Sequence, residues 1–327
     1  MSSSTPYAAD LQSIQDAAKR IAGSAHITPV LTCSSLDRMA GRRLFFKCEN
    51  LQKMGAFKYR GALNAIQQLT DAEAERGVVT HSSGNFAQAL ALAARSRGIP
   101  AYIVMPSNSP AVKQRAVAGY GGQITLCEPN LEARTTQASR IERETGATLV
   151  HPYDHPHVIA GQGTAGLELM EQVPQLDSIV VPLGGGGLLS GIALAAQELR
   201  PGLAVYGAEP EGADDAYRSR QAGRLIPQTG PNTIADGLLT SLGDWTWPVV
   251  RDVVADVFTV SDTQIEKSMR LIWERMKLVV EPSAAVPLAV ILSDPFREQT
   301  THQDIGILLS GGNVDLEKLP WHSTPRE

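Results

Sequence analysis

From residue 43 to about residue 310, short apolar β-rich runs alternate with longer stretches of small, helix-forming residues. Strands joined through helices pair in parallel, because each helix has to cross a sheet face before the next strand begins. The alternation therefore predicts an α/β fold with open, mostly parallel twisted sheets flanked by helices. Strands are expected at 44–46, 77–80, 101–105, 178–182, 204–208 and 305–309, and helices at 86–97, 130–145, 188–199 and 262–276. The segment His151-Pro152-Tyr153-Asp154-His155-Pro156-His157 separates two βα blocks. Its prolines prevent the i, i+4 helical face that would aim two imidazoles at one ion, so it reads as a rigid crossover and not as a metal cluster. Two interleaved units follow: residues 1–74 with 155–327 form a large one, and residues 75–154 a small one.

Composition narrows the partners. A net charge of −5 with no Lys/Arg stripe argues against nucleic acid. No apolar run approaches the ~20 residues of a membrane-spanning helix. The N-terminal Met1-Ser2-Ser3-Ser4-Thr5-Pro6 lacks the basic and apolar regions of a secretory signal. Cys33, Cys48 and Cys127 have no CxxC spacing and are odd in number, which suits reduced thiols in a cytoplasmic protein.

Ligands of open α/β sheets collect at the carboxyl ends of strands, and three strand-end loops draw attention. The first, Gly184-Gly185-Gly186-Gly187, lies between a strand and a helix; bare amides and a helix N-terminus there suit a phosphate, or a tight packing turn. Neither G-x-G-x-x-G nor a Gly-Lys-Ser/Thr ending is present, which weakens dinucleotide and Walker A readings. The second, Ser82-Ser83-Gly84-Asn85, suits a carboxylate site or a plain N-cap. The third, Ser310-Gly311-Gly312-Asn313, offers a hydroxyl at a strand end or merely turns the chain. Lys58 sits between Phe57 and Tyr59 at a predicted helix start. Apolar surroundings favour its neutral amine, the form that attacks an aldehyde, although most lysines are solvated surface charges.

Taken together, Ala56-Phe57-Lys58-Tyr59-Arg60-Gly61-Ala62, Ser82-Ser83-Gly84-Asn85, Gly184 to Gly187 and Ser310-Gly311-Gly312-Asn313 resemble the fold-type II pyridoxal phosphate enzymes. Within them they resemble the serine racemase and serine/threonine dehydratase group, whose fold is tryptophan synthase β-like. Ala160 to Thr164, Thr233 to Gly237, Trp273 to Lys277 and Glu281-Pro282-Ser283 match as well. The resemblance implies that the large unit binds pyridoxal 5′-phosphate. Lys58 would hold it covalently, Phe57 would pack near its ring, Asn85 would bond the 3′-oxygen, and Gly184, Gly185, Gly186 and Gly187 would hold the phosphate. Ser310 would meet the pyridine nitrogen. Ser82, Ser83, Gly84, Asn85 and Arg134 would face a small amino-acid substrate.

Lys58 and Ser83 are the implied catalytic pair, acting on opposite faces of the α-carbon. Typical threonine dehydratases carry alanine where this chain has Ser83, which tilts the expectation toward 3-hydroxyaspartate dehydration or toward interconversion of L- and D-serine; the leading expectation is the latter, with elimination of serine to pyruvate and ammonia. The alternative is a 3-hydroxyaspartate or threonine dehydratase on the same scaffold. Glu209, the Ala213 carbonyl and Asp215 are the implied ligands of Mg²⁺, or Ca²⁺ or Mn²⁺; without the resemblance, Glu209 and Asp215 read as surface turn acids. ATP is an implied activator and a homodimer the implied assembly. Phe86-Ala87 stands where the group usually has His-Gly, a departure that touches the nucleotide expectation.

Overall fold

The computed structural model describes residues 7–82, 84–109 and 111–322. Its strands are β1 (Val30–Leu31), β2 (Arg43–Lys47), β3 (Val78–His81), β4 (Ala101–Pro106), β5 (Gln123–Cys127), β6 (Thr148–Leu149), β7 (Ser178–Pro182), β8 (Ala204–Pro210), β9 (Asp256–Val260) and β10 (Asp304–Leu308). They form a six-stranded sheet in the order β1-β2-β10-β7-β8-β9 and a four-stranded sheet in the order β5-β4-β3-β6. Every pairing is parallel except that of β1 with β2. The six predicted strands are all present. β1, β5, β6 and β9 were not foreseen, because each closes a sheet edge with one strand neighbour and two are only two residues long.

Helices cover both faces of each sheet. Pro156–Gln172 and Gly187–Leu199 pack on one side of the large sheet, and Asp262–Leu271 and Pro282–Leu292 on the other. On the small sheet, alternate residues of β3 and β4 point opposite ways. Val78 and Ile103 meet helix Asn85–Arg97, whereas Val79 and Val104 meet helix Leu131–Thr145. The Ala/Leu face of Asn85–Arg97 is buried as its composition required. The expected helix 262–276 is α-helical only to Leu271 and ends as a π-turn, Ile272–Met276.

Lys58 opens helix Lys58–Gln67, which packs against both Asn85–Arg97 and Pro156–Gln172. The second contact is backbone to backbone: a Cβ on Gly161 would lie 2.6 Å from the Gly61 Cα, so any larger residue would push the lysine-bearing helix away. On that helix the fully buried Arg60 donates to Glu49 at 2.8 Å and to Glu168 at 2.6 Å, and Lys47 donates to Glu168 at 2.6 Å. Each charge in this network has an opposite partner, so removing one would strand the others in a dry interior. The frame around Lys58 is therefore rigid.

Candidate active site

A cavity of about 540 Å³ lies between the two sheets, where the loops after β3, β7 and β10 converge. Phe57, Lys58, Ser82, Gly84, Asn85, Arg134, Gly184, Gly185, Gly186, Gly187 and Ser310 all line it. Folding thus brings together residues more than 250 positions apart. Ser83 lies outside the described residues.

The Lys58 amine donates to the Pro152 carbonyl at 3.0 Å and sits 5.1, 5.8 and 6.0 Å from the ring centres of Phe57, Phe86 and Tyr153. Burial pushes its ammonium down to about 8, against an opposing pull from Glu281. Phe86, buried in the core of the small sheet, puts an apolar ring near the amine. The Phe57 amide donates to the Ser310 carbonyl at 3.0 Å, and Ala56 bridges to Gly311, so the buried end of β10 is stitched to the lysine loop.

The glycine run caps helix Gly187–Leu199, and its amides begin that helix, where the positive end of the dipole favours an anion. Packing supplies a second reason for its composition. A Cβ on Gly185 would fall 2.3 Å from the Tyr153 ring, and one on Gly184 would fall 2.8 Å from the Leu238 Cα. Gly186 has φ +86°, a left-handed conformation that other residues resist.

Several further residues at the cavity carry chemistry that sequence reasoning had not assigned. Glu281 accepts from Asn85 Nδ2 at 2.8 Å, and burial, reinforced by Asp236, raises its carboxyl to about 8. The Lys113–Asp236 ion pair joins helix Ala111–Gly119 to the segment Asp236–Leu238 at the cavity edge. His81, His151 and Tyr153 form a string of edge-on rings, 5.4 and 4.6 Å between centres. Burial lowers both imidazoles, His151 to about 3, so both are neutral at pH 7. The Asp154 amide donates to His151 Nδ1 at 3.0 Å, which places the ring proton on Nε2. Arg134, on helix Leu131–Thr145, has a buried Nε without a hydrogen-bond partner.

Glu209, Ala213 and Asp215 form a separate cluster at the carboxyl end of β8. Both carboxylates are fully buried, where a turn position had suggested exposure. Glu209 accepts from the amides of Ala216 and Tyr217 at 3.1 and 2.9 Å, and Asp215 Oδ2 from the amide of Leu242 at 2.9 Å. Asp215 Oδ1 has no partner. Burial raises both carboxyls, Glu209 strongly with help from Asp215, and Asp215 to about 6. An all-oxygen donor set with one orphaned, buried oxygen fits a hard divalent cation.

A family model described as pyridoxal-phosphate dependent enzyme matches residues 21–311. The chain belongs to this family. It is 53% identical over 320 residues to a serine racemase of rice, Oryza sativa subsp. indica, spanning 97% of this chain and 94% of the rice protein. A β-hydroxyaspartate dehydratase of Paracoccus denitrificans is 50% identical over 304 residues, spanning 93% and 96% of the two chains. The structure of maize serine racemase matches with a TM-score of 0.94 at 53% identity, covering 95% of each chain. The pyridoxal-phosphate-dependent enzymes need a nucleophilic amine and an anion cradle. This cavity fits both needs, with a desolvated Lys58 beside a glycine loop that side chains would fill.

Proposed function

We propose that the chain racemises L- and D-serine with pyridoxal phosphate and also eliminates water from serine, giving pyruvate and ammonia. The observation that carries this reading is the desolvated Lys58 amine, its ammonium acidified by burial, lining one cavity with the Gly184–Gly187 cradle. When bound, pyridoxal phosphate supplies the electron sink that acidifies the α-hydrogen of an amino acid. The protein does the rest. Glycine-loop amides would hold the phosphate, Asn85 would donate to the 3′-oxygen, and the neutral Ser310 hydroxyl would face the ring nitrogen without protonating it. Lys58 moves the proton on one face of the α-carbon and Ser83 the proton on the other.

A second reading, dehydration of 3-hydroxyaspartate, is favoured by one observation: the Arg134 guanidinium in the cavity wall, with which a second substrate carboxylate would pair. One experiment ranks the two. D-serine and pyruvate are followed together from L-serine, with and without Mg²⁺ and ATP, and the rates are compared with those on L-threonine and both 3-hydroxyaspartates. Turnover of hydroxyaspartate alone would reject the racemase reading.

The remaining features belong to the same proposal. Residues 1–74 with 155–327 form the cofactor-binding unit and 75–154 the small unit, in keeping with strands β3 to β6, which all fall between 78 and 149. A homodimer and activation by ATP rest on the resemblance alone. Free thiols at Cys33, Cys48 and Cys127 suit a reducing, cytoplasmic setting. Glu209, Ala213 and Asp215 hold a divalent cation, and this makes stability depend on pH in a defined direction. Asp215 titrates near 4 when unfolded and near 6 when folded, so folding takes up a proton between those values and metal-free stability falls as pH rises through them. Glu209, also raised, extends the fall upward. Millimolar Mg²⁺ or Ca²⁺ is expected to raise the melting temperature at pH 7.5 and leave it unchanged at pH 5. Calorimetry of Asp215→Asn should show no metal shift at either pH; equal shifts at both pH values in the wild type would remove the site.

A further inference from the structure

Asn85 is held by a relay of side chains that begins at a strained turn. Met54 has φ 55° and Gly55 φ 77°, both left-handed, which is unfavourable for a methionine. The turn leaves the Met54 carbonyl accepting from Asn313 Nδ2 at 2.9 Å. A backbone carbonyl can only accept, so it fixes which end of the Asn313 amide is which. The same NH₂ group donates to Asn85 Oδ1 at 2.9 Å, and this fixes Asn85 in turn. Asn85 Nδ2 then faces Glu281 and donates to Oε1 at 2.8 Å. The Glu281 amide donates to the Gly311 carbonyl at 3.0 Å, and the Gly312 amide to the Gly55 carbonyl at 2.9 Å, so both ends of the relay are tied to the loop after β10.

With its oxygen turned to Asn313 and one N–H to Glu281, Asn85 has its second N–H left as the group to donate into the cavity it lines. We propose that Asn313 and Glu281 are positioning residues that make Asn85 a donor-only contact, selecting a ring ligand with an ionisable oxygen beside its aldehyde. This deepens the reading that pyridoxal phosphate is the cofactor and rests on it. A hydrogen bond to a charged oxygen is worth roughly tenfold or more in affinity, and a flipped or freely rotating amide would forfeit that gain.

Charged groups around Glu281 bear on the relay as well. Asp236 and Lys113 pull its carboxyl in opposite directions, and Lys58 feels its charge. A largely uncharged Glu281 at neutral pH still accepts from Asn85 through its carbonyl oxygen.

The test compares pyridoxal phosphate with its 3-O-methyl ether, which keeps the aldehyde and phosphate and loses the ionisable oxygen. Apoprotein affinities for both are measured by equilibrium dialysis in wild type, Asn313→Asp, Glu281→Met, which removes the acceptor, and Asn85→Ala. The first two substitutions are near-isosteric, so the fold is expected to survive them, and thermal melts check this. Wild type should prefer pyridoxal phosphate by at least about tenfold, and each variant should reduce that preference to within about threefold. Equal weakening of both ligands, or an unchanged preference in Asn313→Asp and Glu281→Met, would overturn the relay while leaving the cofactor reading intact. Failure of the wild type to bind either compound would overturn the cofactor reading and the relay with it.

Discussion

Lys58→Ala is expected to abolish the visible absorbance that a lysine-linked pyridoxal phosphate gives, and to lower both racemisation and elimination by at least about 10³-fold. Two losses combine in that figure. The variant lacks the amine that binds the cofactor covalently, and it lacks the base on one face of the α-carbon. Binding of the cofactor's phosphate should persist, because the glycine loop and the helix it begins do not depend on the lysine. The same amine gives a prediction of sign. Burial lowers Lys58 to about 8, whereas an ordinary lysine titrates near 10.4. The rate at which apoprotein captures pyridoxal phosphate should therefore climb with pH and level off above about 8. Stopped-flow absorbance between pH 6 and 10 measures it. A rate still rising steeply at pH 10 would mean that the lysine is solvated and that the aromatic wall of Phe57, Phe86 and Tyr153 does not desolvate it.

The parts of this site that could be read along the chain are those whose neighbours in sequence are also their neighbours in space. Lys58 announced its apolar setting through Phe57 and Tyr59, and the four glycines lay where a strand gives way to a helix. Ser310 closed the last apolar strand. Glu281 is different: its meaning comes from Asn85, 196 residues away, and no local pattern marks an acid that will be buried beside an amide. Tyr153 likewise looked like part of a crossover, and only the fold lays its ring on Gly185. Glu209 and Asp215 misled in the opposite direction. Acids around a turn are usually solvated, yet these two are buried, Glu209 against the amides that begin the next helix and Asp215 against the amide of Leu242 from beyond the turn. Edge strands escaped notice because a strand with one neighbour needs no continuous apolar run, as the half-exposed β5 illustrates.

Ser83→Ala should separate the two reactions that share the first proton transfer. Starting from L-serine, racemisation requires a proton to leave one face of the α-carbon and another to arrive on the opposite face. Elimination requires only the first of these and departure of the hydroxyl. If Lys58 serves the L-face and Ser83 the other, the variant should lose about 10²-fold or more in D-serine formation from L-serine. Pyruvate formation from L-serine should fall by less than about tenfold. The asymmetry must reverse with the other enantiomer. From D-serine the first proton leaves through Ser83, so racemisation and pyruvate formation should fall together. Chiral chromatography and a coupled pyruvate assay on the same samples give all four rates. Deuterium should still enter the α-position of recovered L-serine in heavy water, since Lys58 alone can exchange that proton with retention. An unchanged visible spectrum in the variant confirms that the cofactor site is intact. Equal losses of racemisation and elimination from L-serine, or persistent elimination from D-serine, would take Ser83 out of the mechanism and leave delivery on that face to another group.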